Sequence, residues 1–372
     1  MINKYLGKDT DMTERESEIF EWIKENPLIS QQEIADRAGI TRSSVAVHIS
    51  NLMKKGMIKG KGYVLSEQNY ITVVGAVNVD ISGTPGEALR MSDSNPGKMN
   101  ISFGGVGRNI AENLARLGAN VSLITALGDD FYEEEIEKHL RGLQIDVSHS
   151  LRVKDQATST YLCINNAEGD MAVAISDMDI YEKLTPEFLD AKINFINRGM
   201  LLVIDGNIPK ESIDHLLKKV TVPVVAEPVS IAKAMRFADS LDKITYFKPN
   251  RFELGALTGV DVNSDAGLKK AAETLINRGV ENLIVSLGEE GIFIANKEKS
   301  EKLPAFACKE VNTTGCGDSL IAALAFAASE GKSLKEAAEY GLAAASICIE
   351  HDGAISPDML LDNILYRIKN NK

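Results

Sequence analysis

The chain has 372 residues, 44% of them hydrophobic and 25% charged, which is enough apolar material for the core of two globular domains. Its net charge of −12 excludes a surface built throughout for nucleic acid, so any such contact must come from a local basic patch. Four scattered cysteines without a C-x-x-C pair, five scattered histidines, a polar N-terminus and no apolar run near about 18 residues argue against a disulfide framework, a Cys/His metal site and a membrane span, and predict a cytoplasmic protein.

The first segment, residues 1–66, reads as helices. Thr13 with Glu16 three residues later forms a capping box ahead of the stripe Ile19, Phe20, Ile23, and Asn26-Pro27 ends that helix. Ser30 and Glu33 cap a second short helix, Gln31 to Ala38, broken by Gly39. Thr41 caps a third, carrying Val45, Ile49 and Leu52 and closed by Gly56. MIKGKGYVL then alternates around two glycines as a short β-hairpin would. Two short helices, a tight turn and a hairpin resemble the winged helix-turn-helix modules of bacterial transcription regulators. The resemblance implies that Arg42, Ser43, Ser44 and His48 read base edges, and that Lys54, Lys55, Lys59 and Lys61 reach phosphates. From Leu28 to Tyr63 six basic residues face two acidic ones, a local charge of +4 inside an acidic chain. A winged helix used only for packing stays open as the alternative.

After a short linker, Ser66 to Asn69, the texture changes. Apolar β-rich runs (ITVVGAVNVDI, VSLITAL, LLVIDG, VPVVAEPV, ITYFKPN, NLIVSLG, GIFIA) alternate with helical patterns, which predicts a mostly parallel α/β sheet over residues 70–372. STYLCIN and MAVAI, flanking NAEGD, read instead as an antiparallel hairpin suited to a lid.

The strongest chemical signal is Asn312-Thr-Thr-Gly-Cys-Gly-Asp318, which opens the helical run SLIAALAFAA. Gly315, Cys316 and Gly317 put backbone N–H groups at a helix N-terminus, an anion site. Asp318 is placed to accept a proton from an attacking hydroxyl. A glycine turn with an Asp cap is the bland alternative. Gly331-Lys332-Ser333 imitates the end of a P-loop, but Phe326 stands where its first glycine should be, so Gly331 is read as a helix end.

From about Ile71 onward the chain resembles the ribokinase-like (PfkB) family of sugar and nucleoside kinases. NTTGCGDSL, Gly104-Gly105-Val-Gly-Arg-Asn109, Gly75-Ala-Val-Asn78-Val-Asp80, Asn250-Arg-Phe-Glu253 and Ser286-Leu-Gly288-Glu-Glu-Gly291 stand in the family's order. The resemblance implies a three-layer α/β sandwich with a small β-lid near 81–103 and 159–176, a homodimer formed through that lid, and ATP as phosphoryl donor. Asn78 and Asp80, at a strand end, would hold ribose hydroxyls, with Gly104 and Gly105 letting the backbone approach the ligand and Asn109 adding a hydrogen bond. Ser286, Gly288, Gly291 and Asn250 would meet the nucleotide, and Glu253 with Asn250 would organise Mg²⁺. Asp93 to Lys98, Ala172 to Asp179 with Asp177 and Met178, Glu227-Pro-Val-Ser230 and Lys248-Pro-Asn250-Arg resemble pseudouridine kinases in particular, implying transfer to the 5′-hydroxyl of pseudouridine. Asn312 is neutral where relatives carry Asp, which leaves potassium activation open, and Glu227 replaces an Asp. Another nucleoside or sugar (ribose, fructose) as substrate, or a ligand-sensing regulator, are the alternatives.

Overall fold

The computed structural model describes residues 12–58, 60, 69–167 and 170–371, and the chain divides into two compact units, Met1–Gln68 and Asn69–Lys372. The hairpin expected over Met57 to Leu65 and the linker at 66–68 lie largely outside the described residues.

In the first unit, α1 (Glu14–Glu25), α2 (Gln31–Ala38) and α3 (Arg42–Lys54) start where their caps predict. Thr13/Glu16 and Ser30/Glu33 form reciprocal capping boxes, and the Thr41 hydroxyl accepts from the Ser44 N–H. Ile19, Ile23, Ile34, Val45 and Leu52 meet in one core with no measurable exposure. Trp22 is partly buried against that core, with the Arg37 guanidinium 5.6 Å from its ring.

The second unit is built on an eight-stranded sheet. In chain order its strands are β1 (Tyr70–Val74), β2 (Asn78–Pro85), β3 (Gly97–Gly104), β4 (Asn120–Ile124), β5 (Ala126–Leu127), β6 (Leu151–Arg152), β7 (Thr160–Asn165), β8 (Met171–Asp177), β9 (Leu201–Asp205), β10 (Val224–Glu227), β11 (Tyr246–Phe247), β12 (Asn282–Ser286), β13 (Ile292–Asn296) and β14 (Ser300–Leu303). The main sheet runs β14-β13-β12-β11-β10-β9-β1-β4. It is parallel from β4 to β12 and antiparallel at the β12–β13–β14 edge. Alternate residues feed two separate cores, Leu202 and Ile204 on one face, Leu201 and Val203 on the other. Burial on both faces is why these strands read as unbroken apolar runs. Helices cover both sides, giving three layers.

A second sheet, β3-β2-β7-β8, forms the lid, and β5 pairs with β6. The run ITVVGAVNVDI, read as one strand, is two: β1 belongs to the main sheet and β2 to the lid. Asn78 and Asp80 therefore open a lid strand rather than end a core strand. The break falls at residues 75–77, where the chain meets the loop after β3. A Cβ on Gly75 would lie 2.4 Å from Asp205 Oδ2, and one on Gly105 2.5 Å from the Ala76 carbonyl.

Candidate active site

The site forms where strands β9, β10 and β11 end and helix Cys316–Ser329 begins. Carboxyl ends of parallel strands are where ligands bind in such sheets. Here they bring in three charged residues: Asp205 closes β9, Glu227 closes β10, and Lys248 follows β11. All three are buried.

Helix Cys316–Ser329 starts on Gly315 in the left-handed region (φ 79°), and no side chain caps it. A Cβ on Gly315 would sit 2.0 Å from the Ala354 carbonyl, so only glycine fits both the turn and its neighbour. The Cys316 N–H donates to the Thr313 carbonyl (3.3 Å), and the N–H groups that follow it in this first turn are left for an anion. Asn312 braces the loop: its amide donates to the Asp352 carbonyl (2.7 Å) and accepts from the Thr314 N–H (2.9 Å).

Asp318 sits in the first turn, and Asn109 Nδ2 donates to its Oδ2 at 2.8 Å. Burial pushes the Asp318 carboxyl up to about 6, opposed by that hydrogen bond and by the positive charges of Lys248 and Arg108. Lys248 Nζ lies 2.9 Å from Glu227 Oε2 and 3.6 Å from where a Cβ on Gly317 would stand, placing an ammonium group directly behind the anion loop. Burial drives Glu227 upward, and Lys248 holds it back.

Asn78 Oδ1 accepts from the Ser159 hydroxyl (2.9 Å), and the Asp80 carboxyl is raised by burial against the pull of Arg108. The glycines expected to admit a ligand have another use. A Cβ on Gly104 would lie 1.9 Å from Asp80 Oδ2, so Gly104 makes room for the Asp80 carboxylate and Gly105 for residues 76 and 77. Two further expectations shift. Asp177 pairs with Thr160, one register step from Tyr161, the partner of Asp80, so it lies on the opposite face of the lid. Met178 packs, half-buried, against the main core.

On the other side of the anion loop a cavity of ≈ 930 Å³ is lined by Asn250, Ser286, Gly288, Gly291, Phe306, Cys316 and Gly317 among others. It brings together the residues expected at the nucleotide. Asn250 and Glu253 prove to be a capping box for helix Arg251–Thr258: the Asn250 side chain accepts from the Glu253 N–H, and Glu253 Oε2 from the Asn250 N–H. One Glu253 oxygen is thereby engaged at home. Among the described residues no cluster of three or more His, Cys, Asp or Glu could by itself hold a metal ion. Glu253 acts on the buried Glu227 carboxyl against the pull of Lys248, and such a pair of acidic groups suits a hydrated divalent cation.

Arg108 and Lys248 stood inside the quoted motif stretches without a role of their own, and Asp205 was not singled out. Their signal was present: a charged residue at the end of an apolar parallel strand, or inside a glycine-rich helix start, is costly to bury without a task.

In the N-terminal unit the outer face of α3 carries exposed Arg42, Ser43, Ala46, Val47 and Ser50, with Lys54 exposed at its end. Two residues expected to contact DNA are engaged within the unit, and a third is half-buried with no hydrogen-bond partner on its ring Nδ1 among the described residues. Ser44 Oγ bonds the Thr41 hydroxyl (2.9 Å), His48 is half-buried on the flank, and Lys55 forms an ion pair with buried Glu16 (2.8 Å). Lys59 and Lys61 lie outside the described residues.

Residues 68–360 match the pfkB carbohydrate kinase family, and residues 12–59 match the winged helix-turn-helix DNA-binding family. An uncharacterized sugar kinase of Escherichia coli strain K12 is 38% identical over 95% of this chain and 98% of its own. The pseudouridine kinase of the same organism is 32% identical over 82% of this chain and 98% of its own. The ribokinase of Arabidopsis thaliana, solved with ribose and ATP, superposes with a TM-score of 0.73 at 25% identity, covering 81% of this chain and 99% of that one. No described helix is long and apolar enough to cross a membrane. The chain belongs to the pfkB family of carbohydrate kinases: it is a sugar or nucleoside kinase of ribokinase-like fold that carries a winged helix-turn-helix segment at its N-terminus.

Proposed function

We propose that the protein transfers the γ-phosphoryl group of ATP to the 5′-hydroxyl of a nucleoside, pseudouridine, and binds DNA through its N-terminal unit. The observation that carries the kinase reading is the placement of Asp318. One carboxylate oxygen is held by Asn109, and the residue stands in the first turn of an uncapped helix whose other side opens on a nucleotide-sized cavity.

Asp318 takes the proton of the 5′-hydroxyl as that oxygen bonds to the γ-phosphorus and the bond to the bridging β,γ-oxygen breaks, leaving ADP. The N–H groups of Gly315 and Gly317, backed by the Lys248 ammonium, stabilise the charge on the transferring group, and the Cys316 N–H braces the turn on the Thr313 carbonyl. Mg²⁺, when bound, neutralises phosphate charge. Glu253 and Glu227 would hold it through water, with Asn250 beside them. Ser286, Gly288 and Gly291 line the nucleotide side, and Asn78 and Asp80 hold the sugar hydroxyls.

The choice of a nucleoside over a free sugar rests on the pseudouridine kinase likeness and on the lid. Ser102, Asp80, Tyr161 and Ser176 form one row across all four lid strands, on the face that carries Asp80. Those hydroxyls extend a polar surface well beyond a single sugar ring. Beyond the Thr160–Asp177 pair the opposite face is apolar. Ile101, Ile81, Leu162 and Ile175 make one row and Met99, Gly83, Ile164 and Val173 the next, with Ile101, Ile175, Met99 and Val173 each more than half exposed. Such a patch fits a second copy of the lid and supports a homodimer. The exposed face of α3, with Arg42 and Lys54, supports DNA contact, and a dimer would carry two such helices for a palindromic site.

A panel of pseudouridine, uridine, ribose and fructose with ATP, read by ADP release, tests the reading. Pseudouridine should give the highest kcat/KM. Equal or better use of ribose or fructose removes the nucleoside assignment, and no ADP release with any acceptor removes the kinase in favour of a ligand sensor.

A further inference from the structure

The helix that supplies Asn109 also supplies Arg108, 7% exposed, in its first turn. Its guanidinium is clamped on several sides. Nη1 donates to the Phe103 carbonyl (3.0 Å) and to Asn109 Oδ1 (3.1 Å). Nη2 donates to Glu112 and lies 3.0 Å from His139 Nε2. Glu112 is fixed in turn by Arg116, at 2.8 and 3.0 Å.

A guanidinium only donates hydrogen bonds. The oxygen of the Asn109 amide must therefore face Arg108, and the amide NH₂ must face Asp318. The reversed amide would set donor against donor at Arg108 and oxygen against oxygen at Asp318. We infer that Arg108 is a positioning residue for phosphoryl transfer: it locks the Asn109 amide so that Asn109 donates to Asp318 Oδ2, leaving Oδ1 to take the substrate proton. The relay runs Glu112, Arg108, Asn109, Asp318. Arg108 also places a buried positive charge near both Asp80 and Asp318, the two carboxylates assigned to sugar binding and proton transfer.

This inference rests on Asp318 being the general base. Besides Asn109 and Arg108, Asp318 faces Lys248, Asp205 and Glu227, so the test has to isolate the path through Asn109. The full chain with pseudouridine, ATP and Mg²⁺ is assayed over pH 5–9 as wild type, Arg108→Met, Arg108→Lys, Asn109→Ala, Asp318→Asn and the Arg108→Met/Asn109→Ala double variant. Arg108→Met should lower kcat about tenfold, the value of one hydrogen bond to a charged group, and move the acid limb of kcat/KM upward by about one pH unit. Arg108→Lys, which keeps a donor and the charge, should recover most of both. In the Asn109→Ala background the Arg108 change should cost less than about threefold, because residues acting through one path are not additive.

A limb that stays in place in Arg108→Met with kcat near wild type overturns the relay, as does a double variant in which the two losses multiply in full. Should Arg108→Met fail to fold, Arg108→Lys and Asn109→Ala decide together: near-wild-type kcat and limb in Arg108→Lys beside a lowered kcat and an upward-shifted limb in Asn109→Ala support the relay, and a tenfold loss in Arg108→Lys despite the retained donor, or an unmoved limb in Asn109→Ala, overturns it. If Asp318→Asn keeps wild-type turnover, the base assignment and the relay fall together. An inactive Asp318→Asn beside an unmoved Arg108→Met limb sinks the relay alone.

Discussion

Lys248 Nζ lies 2.9 Å from Glu227 Oε2, and both side chains are at least nine-tenths buried. The pair joins the end of β10 to the residue after β11, directly beneath the anion loop. Removing one member strands the other charge in a low-dielectric site, which costs about 3–5 kcal/mol. Lys248→Met should therefore lower the unfolding free energy of the kinase unit by about that much and reduce kcat as well. Lys248→Met/Glu227→Leu should restore stability without restoring kcat, because the ammonium behind Gly317 is still missing. Recovery of kcat in the double variant would show the pair to be structural only. Chemical denaturation and steady-state kinetics read the two effects.

Asp318 should dominate the acid limb of activity. Its folded pKa is raised from the ordinary carboxylate range to about 6 by burial, and a general base must be ionised. Turnover should accordingly fall as the pH drops through about 6. Stability has the opposite sign. A carboxyl with a raised folded pKa favours the folded state most at low pH, and that contribution is lost as the pH rises from about 4 to about 6. Asp318→Asn should cut kcat by about 10²–10⁴-fold with nucleoside affinity largely kept, and should remove this pH-dependent loss of stability between pH 4 and 6.

Glu16 and Lys55 make the matching prediction for the N-terminal unit. Burial acts to raise the carboxyl of Glu16, but the Lys55 ammonium and the Thr13 N–H hold it down at about 2. Its contribution is present above the unfolded value of about 4.5 and is lost as the pH falls toward 2. Lys55→Ala should destabilise the helical unit at neutral pH, lowering its melting temperature. Lys54→Ala and Arg42→Ala should leave the melting temperature alone and weaken DNA binding, with a shallower dependence on salt. A titration of upstream DNA against a random duplex at fixed salt checks this. Equal weakening by Lys55→Ala with no loss of stability would return Lys55 to the DNA surface.

The lid offers a test of assembly. Replacing Ile101 and Ile175 with Asp places charges on the exposed apolar rows, while Ser102, Asp80 and Tyr161 on the other face are untouched. The double variant should sediment as a monomer where wild type is a dimer. A wild type that is monomeric at micromolar concentration refutes the lid interface.

Much of this protein was legible in its sequence because the governing interactions are short in chain distance. Thr13/Glu16 and Ser30/Glu33 are capping boxes, each closed within three residues, so residue spacing alone places those helix starts. Strands buried on both faces announce themselves as apolar runs, and a glycine-rich loop ahead of a helix of small residues marks the candidate anion site. What those residues then do was decided by contacts the spacing cannot reveal. Asn109 and Asp318 meet from 209 positions apart. Lys55, which composition offers to DNA, turns inward to Glu16, 39 positions away, because a buried carboxylate needs a partner. Asn250-x-x-Glu253 has the same spacing whether it caps a helix or organises a metal, and Gly104 reads as room for a ligand until the Asp80 carboxylate is seen to fill it. Local sequence sets dihedral preferences, caps and the alternation of faces. Burial and charge pairing are sums over neighbours in space, so the ionisation of Asp318, the Lys248–Glu227 pair and the division of ITVVGAVNVDI between two sheets exist only once the chain has closed on itself.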